Sequence, residues 1–163
     1  MKELSIEEKE LLLKDLCTRL PYGIKIWYKY YPTNITEEFA TSIRLSDNKL
    51  ALSRRLDKEG DWYPIEEAGE ILIKPYLRPM SSMTEEEFTI LKKYSGLEYD
   101  NLDLTSFQND THKCLDFYLS EIPSYVVILV FDWLNAHHFD YRGLIETGLA
   151  LEAKEEMYNL NKK

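Results

Sequence analysis

Between Ile24 and Lys74 several short runs place side chains on alternate faces, a period of two that selects extended strands over helix. Ile24, Ile26, Tyr28 and Tyr30 share one face of the first run, and Lys25, Trp27, Lys29 and Tyr31 share the other. Phe39, Thr41, Ile43 and Leu45 alternate in the next run, and Ser46-Asp47-Asn48-Lys49 supplies a turn before Leu50 and Leu52 return in phase. Trp62 to Glu66 and Glu70 to Lys74 read as two further short strands that turn near Ala68-Gly69. Four or five short antiparallel strands joined in this way predict a small, barrel-like sheet.

Helical signals flank the sheet. Ser5 with Glu8 three residues on forms a capping-box pattern. Leu13, Leu16, Cys17 and Leu20 then make an apolar face, with Glu7, Lys9, Glu10, Lys14 and Asp15 on the wet side. Pro21 and Gly23 end that helix. Pro75 and Pro79 make the stretch to Met83 irregular. Thr84 with Glu87 repeats the capping box and starts a helix running to about Tyr94, before Gly96. Asp100 to Asn109 is polar and reads as a loop. A helix from Asp110 or Thr111 ends near Glu121, ahead of Pro123. Val126 to Phe131 has the β-branched content of a buried strand, but the continuation through Ala136 favours a buried helix. Asp140 can cap a short turn of helix from Tyr141 to Thr147, with Gly148 as the left-handed stop. The expected fold class is therefore α+β: one N-terminal helix, the antiparallel sheet, and C-terminal helices. It forms a single domain over 1–163, sheet-rich to about 83 and helical from about 84.

The apolar fraction of 44% and charged fraction of 30% are those of a globular chain that buries its own core. Tyr125 to Phe131, the longest apolar run, is far short of the ~20 residues a membrane helix requires, so no membrane is expected among the partners. Met1 to Ser5 leads into an acidic amphipathic segment, so no secretory leader is expected. Cys17 and Cys114 have no metal-type spacing and suit reduced, partly buried thiols in a cytoplasmic protein. The net charge of −9 argues against nucleic acid as a partner, because phosphate-binding surfaces concentrate Lys and Arg.

Two blocks carry a resemblance. One is Lys74-Pro75-Tyr76-Leu77-Arg78-Pro79-Met80-Ser81-Ser82-Met83-Thr84-Glu85-Glu86-Glu87, and the other runs Asp132-Trp133-Leu134-Asn135-Ala136-His137-His138-Phe139-Asp140-Tyr141-Arg142-Gly143-Leu144-Ile145-Glu146. Together they resemble small uncharacterised proteins encoded in prophages and other mobile elements of gut bacteria. The resemblance implies such an origin and a cytoplasmic setting. It implies no activity and assigns no site residue.

The densest chemistry lies in His137 to Arg142. As a metal site it would use His138 and Asp140 with His112 from another helix, since adjacent histidines on a helix point about 100° apart. A single His-x-Asp falls short of the paired spacings of zinc sites, and no metal or other cofactor is expected. As acid–base machinery, Asp140 would orient His138 while Arg142 holds an anionic substrate. No nucleophile elbow or Gly-rich phosphate loop accompanies them. As a structural corner, Asp140 caps the next turn, Arg142 pairs with a carboxylate, and Phe139, Leu144 and Ile145 enter the core. The corner is the favoured reading, because buried polar groups are nearly always bonded internally.

Candidate binding residues are Trp27 and Tyr31, on the second face of the aromatic strand, and Tyr76 and Arg78, in the proline-flanked segment. That segment also suits wrapping the protein's own sheet edge, which is the preferred reading. The acidic runs Glu7-Glu8 and Glu85-Glu86-Glu87 sit where helix dipoles favour negative charge. Twelve tyrosines and three tryptophans without a catalytic signature point to a non-enzymatic protein-interaction module with a protein partner, and homo-oligomerisation is compatible with the same surface. The alternatives are a small hydrolase or metal-dependent enzyme using His138, Asp140 and Arg142, and an acidic nucleic-acid mimic. A nucleic-acid binder would need Lys25, Lys29, Arg44, Arg54 and Arg55 clustered.

Overall fold

Local capping decides where the chain first turns helical. The structure is a computed structural model describing residues 4–30, 34–39, 42–46, 49–53, 62–64, 66–67, 70–71, 73–97, 101–118, 123–154 and 156–158. Side chains are described for 4–27, 73–97, 101–115, 123–154 and 156–158. Helix α1 spans Ile6–Arg19. The Ser5 hydroxyl accepts from the Glu8 N–H at 3.1 Å, and the Glu8 carboxylate accepts from the Ser5 N–H at 2.7 Å. Two of the four orphan donors of the first turn are thereby satisfied. The apolar face differs from the expected one. Leu12 and Leu16 are buried, Cys17 is exposed, and Asp15, expected on the wet side, has no exposed surface. Its burial is tolerated because Arg19 Nε, one turn on and equally buried, donates to Asp15 Oδ2 at 2.8 Å.

The residues that follow form β1 Lys25–Tyr30, β2 Asn34–Phe39, β3 Ser42–Ser46, β4 Lys49–Ser53, β5 Trp62–Pro64, β6 Glu66–Glu67, β7 Glu70–Ile71 and β8 Ile73–Leu77, with β9 Leu151–Glu152 near the C-terminus. The expected antiparallel barrel-like sheet does not form. Among the described residues the strands fall into an open sheet of order β2-β1-β8-β9, a meander β3-β4-β5 and a pair β6-β7. The first of these is mixed, because β9 runs parallel to β8, with Tyr76 opposite Leu151 and Leu77 opposite Glu152. Closure needs every strand paired on both sides, whereas β2 and β9 are each paired on one. Alternation identified β1, β3 and β4 but not β2 at Asn34–Phe39, and it carries no information about which strands pair. The two turns expected at Asp47-Asn48 and Ala68-Gly69 lie outside the described residues, although Ser46 does face Lys49 across β3 and β4.

The segment expected to be irregular supplies Pro75, Tyr76 and Leu77 to β8, whose first two residues fall in the strand expected to end at Lys74. Ile73, Pro75, Tyr76 and Leu77 are all buried there, and Pro75 stands opposite Ile26. Strand β9 pairs only from Tyr76, so the N–H that Pro75 lacks falls outside the parallel ladder.

Chain contacts divide the molecule into two compact units. One comprises Met1–Leu77 with Gly143–Lys154, and the other Arg78–Arg142 with Glu155–Lys163. The first holds α1 and the strands, with a core that includes Leu12, Leu16, Ile24, Ile26, Ile73 and Leu77. The second is helical. Helix α2 is Glu85–Ser95, capped by Thr84 and Glu87 and closed by Gly96 at φ 80°. Helix α3 is Leu104–Asn109, in the stretch expected to be loop, where the Asp103 carboxylate caps the Ser106 N–H at 2.9 Å. Its six residues are too few for a periodic pattern to emerge. Helix α4 is Thr111–Tyr118 and α5 is Ser124–Ala136, so the ambiguous apolar run is a helix. Phe88, Leu91, Phe107, Leu115, Val130 and Trp133 lead the core of this unit. The turn of helix expected from Tyr141 to Thr147 takes the form of hydrogen-bonded turns, in which the Thr147 N–H reaches the Gly143 carbonyl at 3.2 Å, and Gly148 is left-handed as expected.

Candidate functional site

Helix α5 ends by a paired-bond motif in which His138 stands where glycine is usual. The Phe139 N–H reaches the Leu134 carbonyl at 3.0 Å and the His138 N–H reaches the Asn135 carbonyl at 3.1 Å. This pairing places the residue between cap and exit in the left-handed region, and His138 has φ 59°. A side chain there costs about 1–2 kcal/mol, so its surroundings must hold it. They do so in two ways. The imidazole stacks on the Tyr158 ring at 3.9 Å. The backbone on either side is tied to Arg78, whose N–H donates to the His138 carbonyl at 2.8 Å and whose carbonyl accepts from the Asp140 N–H at 2.7 Å.

Arg78 also anchors the corner through its side chain. Nη1 and Nη2 donate to the two oxygens of Glu87 at 2.7 and 3.0 Å, a bidentate pair. The guanidinium lies 4.1 Å from the centroid of the Phe139 ring, within cation–π range. Glu87 is at the same time the acid of the α2 capping box, accepting from the Thr84 N–H at 3.0 Å. Through Arg78, the start of α2 is therefore linked to Phe139, three residues beyond the end of α5.

The titration of two groups follows from this packing. Burial pushes the Glu87 carboxyl upward, but hydrogen bonds from Arg78 and Thr84 and the Arg78 charge outweigh it and hold the group below its ordinary value of 4.5. His137 lies half-buried against Trp133, ring centroids 3.7 Å apart, with Nδ1 bonded to the Trp133 carbonyl at 2.8 Å. Burial lowers its pKa below 6.5, and the bond to Trp133 opposes that only in part.

The structure distributes the sequence-derived candidates as follows. His138 and Asp140 flank Phe139 and are 2% and 8% exposed. Arg142 is half-buried with its guanidinium 4.5 Å from the Tyr141 ring. His112 is exposed on α4 and faces the Phe131 ring at 5.2 Å. Among the described residues no three His, Cys, Asp or Glu side chains gather to hold a metal ion. Trp27 is half-buried in β1, in register with Glu37 and Lys74, and Tyr31 lies outside the described residues. Tyr76 is buried within β8. Of the basic residues a nucleic-acid surface would need, Lys25 is half-buried in β1, the side chains of Lys29 and Arg44 are not described, and Arg54 and Arg55 lie outside the described residues.

The open feature of the helical unit is one that residue-by-residue chemistry passed over. Ile90 and Tyr94 on α2 are 50% and 48% exposed, and Tyr125 and Ile128 on α5 are 61% and 67% exposed. Helices α2 and α5 pack against each other, and the Tyr94 hydroxyl donates to Asp132 Oδ2 at 3.2 Å across them. Asp132 lies one turn beyond Ile128, so the four apolar side chains border one seam. A signal for this face exists in the sequence: Asp132 is the only charged residue among the thirteen of α5. No family model, curated protein or solved structure matches this chain.

Proposed function

We propose that the protein is a cytoplasmic, non-enzymatic interaction module that contacts another protein through the open side of α5. One observation carries the reading. A helix that is apolar all round is normally buried all round, yet α5 leaves Tyr125 and Ile128 largely in solvent. Exposed apolar surface bordered by polar groups is the common mark of a contact site. The residues richest in chemistry supply the contrast, since Arg78, Glu87, His138 and Phe139 are engaged with one another and with Tyr158. Two observations support the cytoplasmic part. No helix among the described residues is long and apolar enough to cross a membrane, and Cys17 and Cys114 are free thiols. Mobile-element origin, implied by the resemblance of residues 74–87 and 132–146, belongs to the same proposal.

Site-specific photocrosslinking in the cells that express the protein tests the reading. A crosslinker placed at position 128 is expected to trap a discrete adduct that one at exposed Glu10 does not, and Tyr94→Ser is expected to weaken the trapping. Identical adduct patterns at 128 and 10 would reject an interaction role for this face.

A further inference from the structure

We propose that the seam between α2 and α5 receives a single basic amphipathic helix of a partner protein, apolar side down, and not a second copy of this chain. The inference rests on the interaction reading above and adds the chemistry of the occupant.

Shape is the first argument. Ile90 and Tyr94 are spaced i, i+4 on α2, and Tyr125 and Ile128 are spaced i, i+3 on α5. Leu129, half-buried, lies beside them. Two helical rows of this kind form the grooves into which the ridge of a third helix packs. A partner helix would engage them with apolar residues at i, i+3 or i+4, and i+7.

Size is the second. The four exposed side chains are roughly half in solvent, which amounts to on the order of 400–500 Å² given the areas typical of such residues. A stable association of two folded proteins needs about 800 Å² from each side. These four side chains alone supply about half of that, enough to seat one helix; a second copy would have to draw the rest from the acidic surface around them.

Charge is the third and decides the sign. The helical unit carries seven Lys and Arg against thirteen Asp and Glu, a net −6 of the chain's −9. Glu86 is exposed one turn before Ile90, and half-buried Asp132 accepts from the Tyr94 hydroxyl one turn after Ile128, so one carboxylate precedes Ile90 and another lies between Tyr94 and Ile128. The exposed charged residues of α2 are Glu85, Glu86 and Lys93, acidic on balance. Two copies meeting here would oppose like charges, whereas a helix with Lys or Arg along its polar flanks would meet opposite ones.

The probe is a fluorescein-labelled 18-residue peptide of leucines and lysines at helical spacing. Its control carries the same leucines with glutamate for every lysine. Fluorescence anisotropy with the full chain is expected to show binding of the lysine peptide, and binding of the glutamate peptide about ten-fold weaker or less. Tyr125→Ser with Ile128→Ser removes apolar contact without changing charge and should weaken the lysine peptide about ten-fold or more. Glu10→Gln, in the other unit, should leave binding unchanged. Glu86→Gln should weaken it about two- to three-fold at low salt and not at 1 M, where the screening length is about 3 Å. Circular dichroism checks that each variant is folded. Equal binding of both peptides, lost in the double serine variant, overturns the basic occupant while the interaction face stands. Concentration-dependent dimerisation in sedimentation, abolished by Ile128→Ser, puts a second copy in the seam and overturns this proposal alone. Absence of peptide binding, dimerisation and a position-128 crosslink overturns both readings.

Discussion

The two ends of α5 have been put to opposite uses. At its C-terminus, His137 to Arg142 gather two imidazoles, a carboxylate and a guanidinium, and the structure buries His138 and Asp140 and half-buries the other two: Arg78 binds the backbone on both sides of Phe139, and its guanidinium is shared between Glu87 and the Phe139 ring. Toward its N-terminus, Tyr125 and Ile128 have no ionisable group to recommend them beyond a phenol, yet they stand open. The contrast teaches that density of polar chemistry in a sequence measures how much must be satisfied, while availability to an outside molecule depends on what is left uncovered. Buried polar groups find partners because leaving one unmatched costs 1–3 kcal/mol. An exposed isoleucine faces no such demand.

Substitutions can break this comparison or sharpen it. The largest effect is expected at Phe139, which has no exposed surface. Phe139→Ala should lower stability by about 3–5 kcal/mol in urea unfolding followed by tryptophan fluorescence. A loss under 1 kcal/mol would mean the corner is not the lock described here. Arg78→Ala removes a bidentate pair that is about four-fifths buried, and about 2 kcal/mol is the expected loss after allowing for solvent at the rim.

At His138 a comparison of two variants isolates the backbone. His138→Gly and His138→Ala both lose the stack on Tyr158, but only glycine relaxes at φ 59°. The glycine variant should be the more stable by about 1 kcal/mol. Equal stability would show that the left-handed conformation carries no strain.

Acid should act on the same corner. His137 and Glu87 both have folded pKa values below their ordinary 6.5 and 4.5. A depressed value means that the unfolded chain binds the proton first. The stability each group contributes is therefore complete above its ordinary value and is lost as pH falls through the folded one. His137→Gln should flatten the slope of stability against pH just below 6.5 and leave the Glu87 loss below 4.5 in place. The smallest effect is expected at the open face: Ile128→Ser should change stability by no more than about 0.5 kcal/mol. A larger loss would show that Ile128 packs against something in the folded chain, and the contrast between the two ends of α5 would fail.

What could be read in advance divides along the range of the interaction involved. Both capping boxes, at Ser5 and Thr84, were legible because the partners sit three residues apart. The strands at Lys25–Tyr30 and Ser42–Ser46 were legible from alternation. Asp15 was misplaced because a carboxylate reads as wet until its partner, Arg19, is known to be buried with it. Pro75 was misplaced because a strand between two partners overrides a local breaker. The parallel member of the sheet was invisible, since two residues at Leu151–Glu152 carry no pattern of their own. At the site, the crowding of polar groups after Ala136 was plain, but the residue that binds them, Arg78, lies some sixty positions earlier and no spacing announces it. The open face was written in the single charge of α5, and it went unread because an apolar helix is ordinarily assigned to the interior.

The pairing of β8 with β9 has a consequence for how the chain is made. Leu77 and its partner Glu152 are separated by the whole helical stretch, so ribosomes adding about 5–20 residues per second deliver the second strand roughly 4–15 s after the first. For that interval one flank of a buried, apolar strand is ready to recruit whatever extended segment comes near, in its own nascent chain or a neighbour's. Slower synthesis across the intervening codons would lengthen the window, and the yield of soluble protein should fall with it.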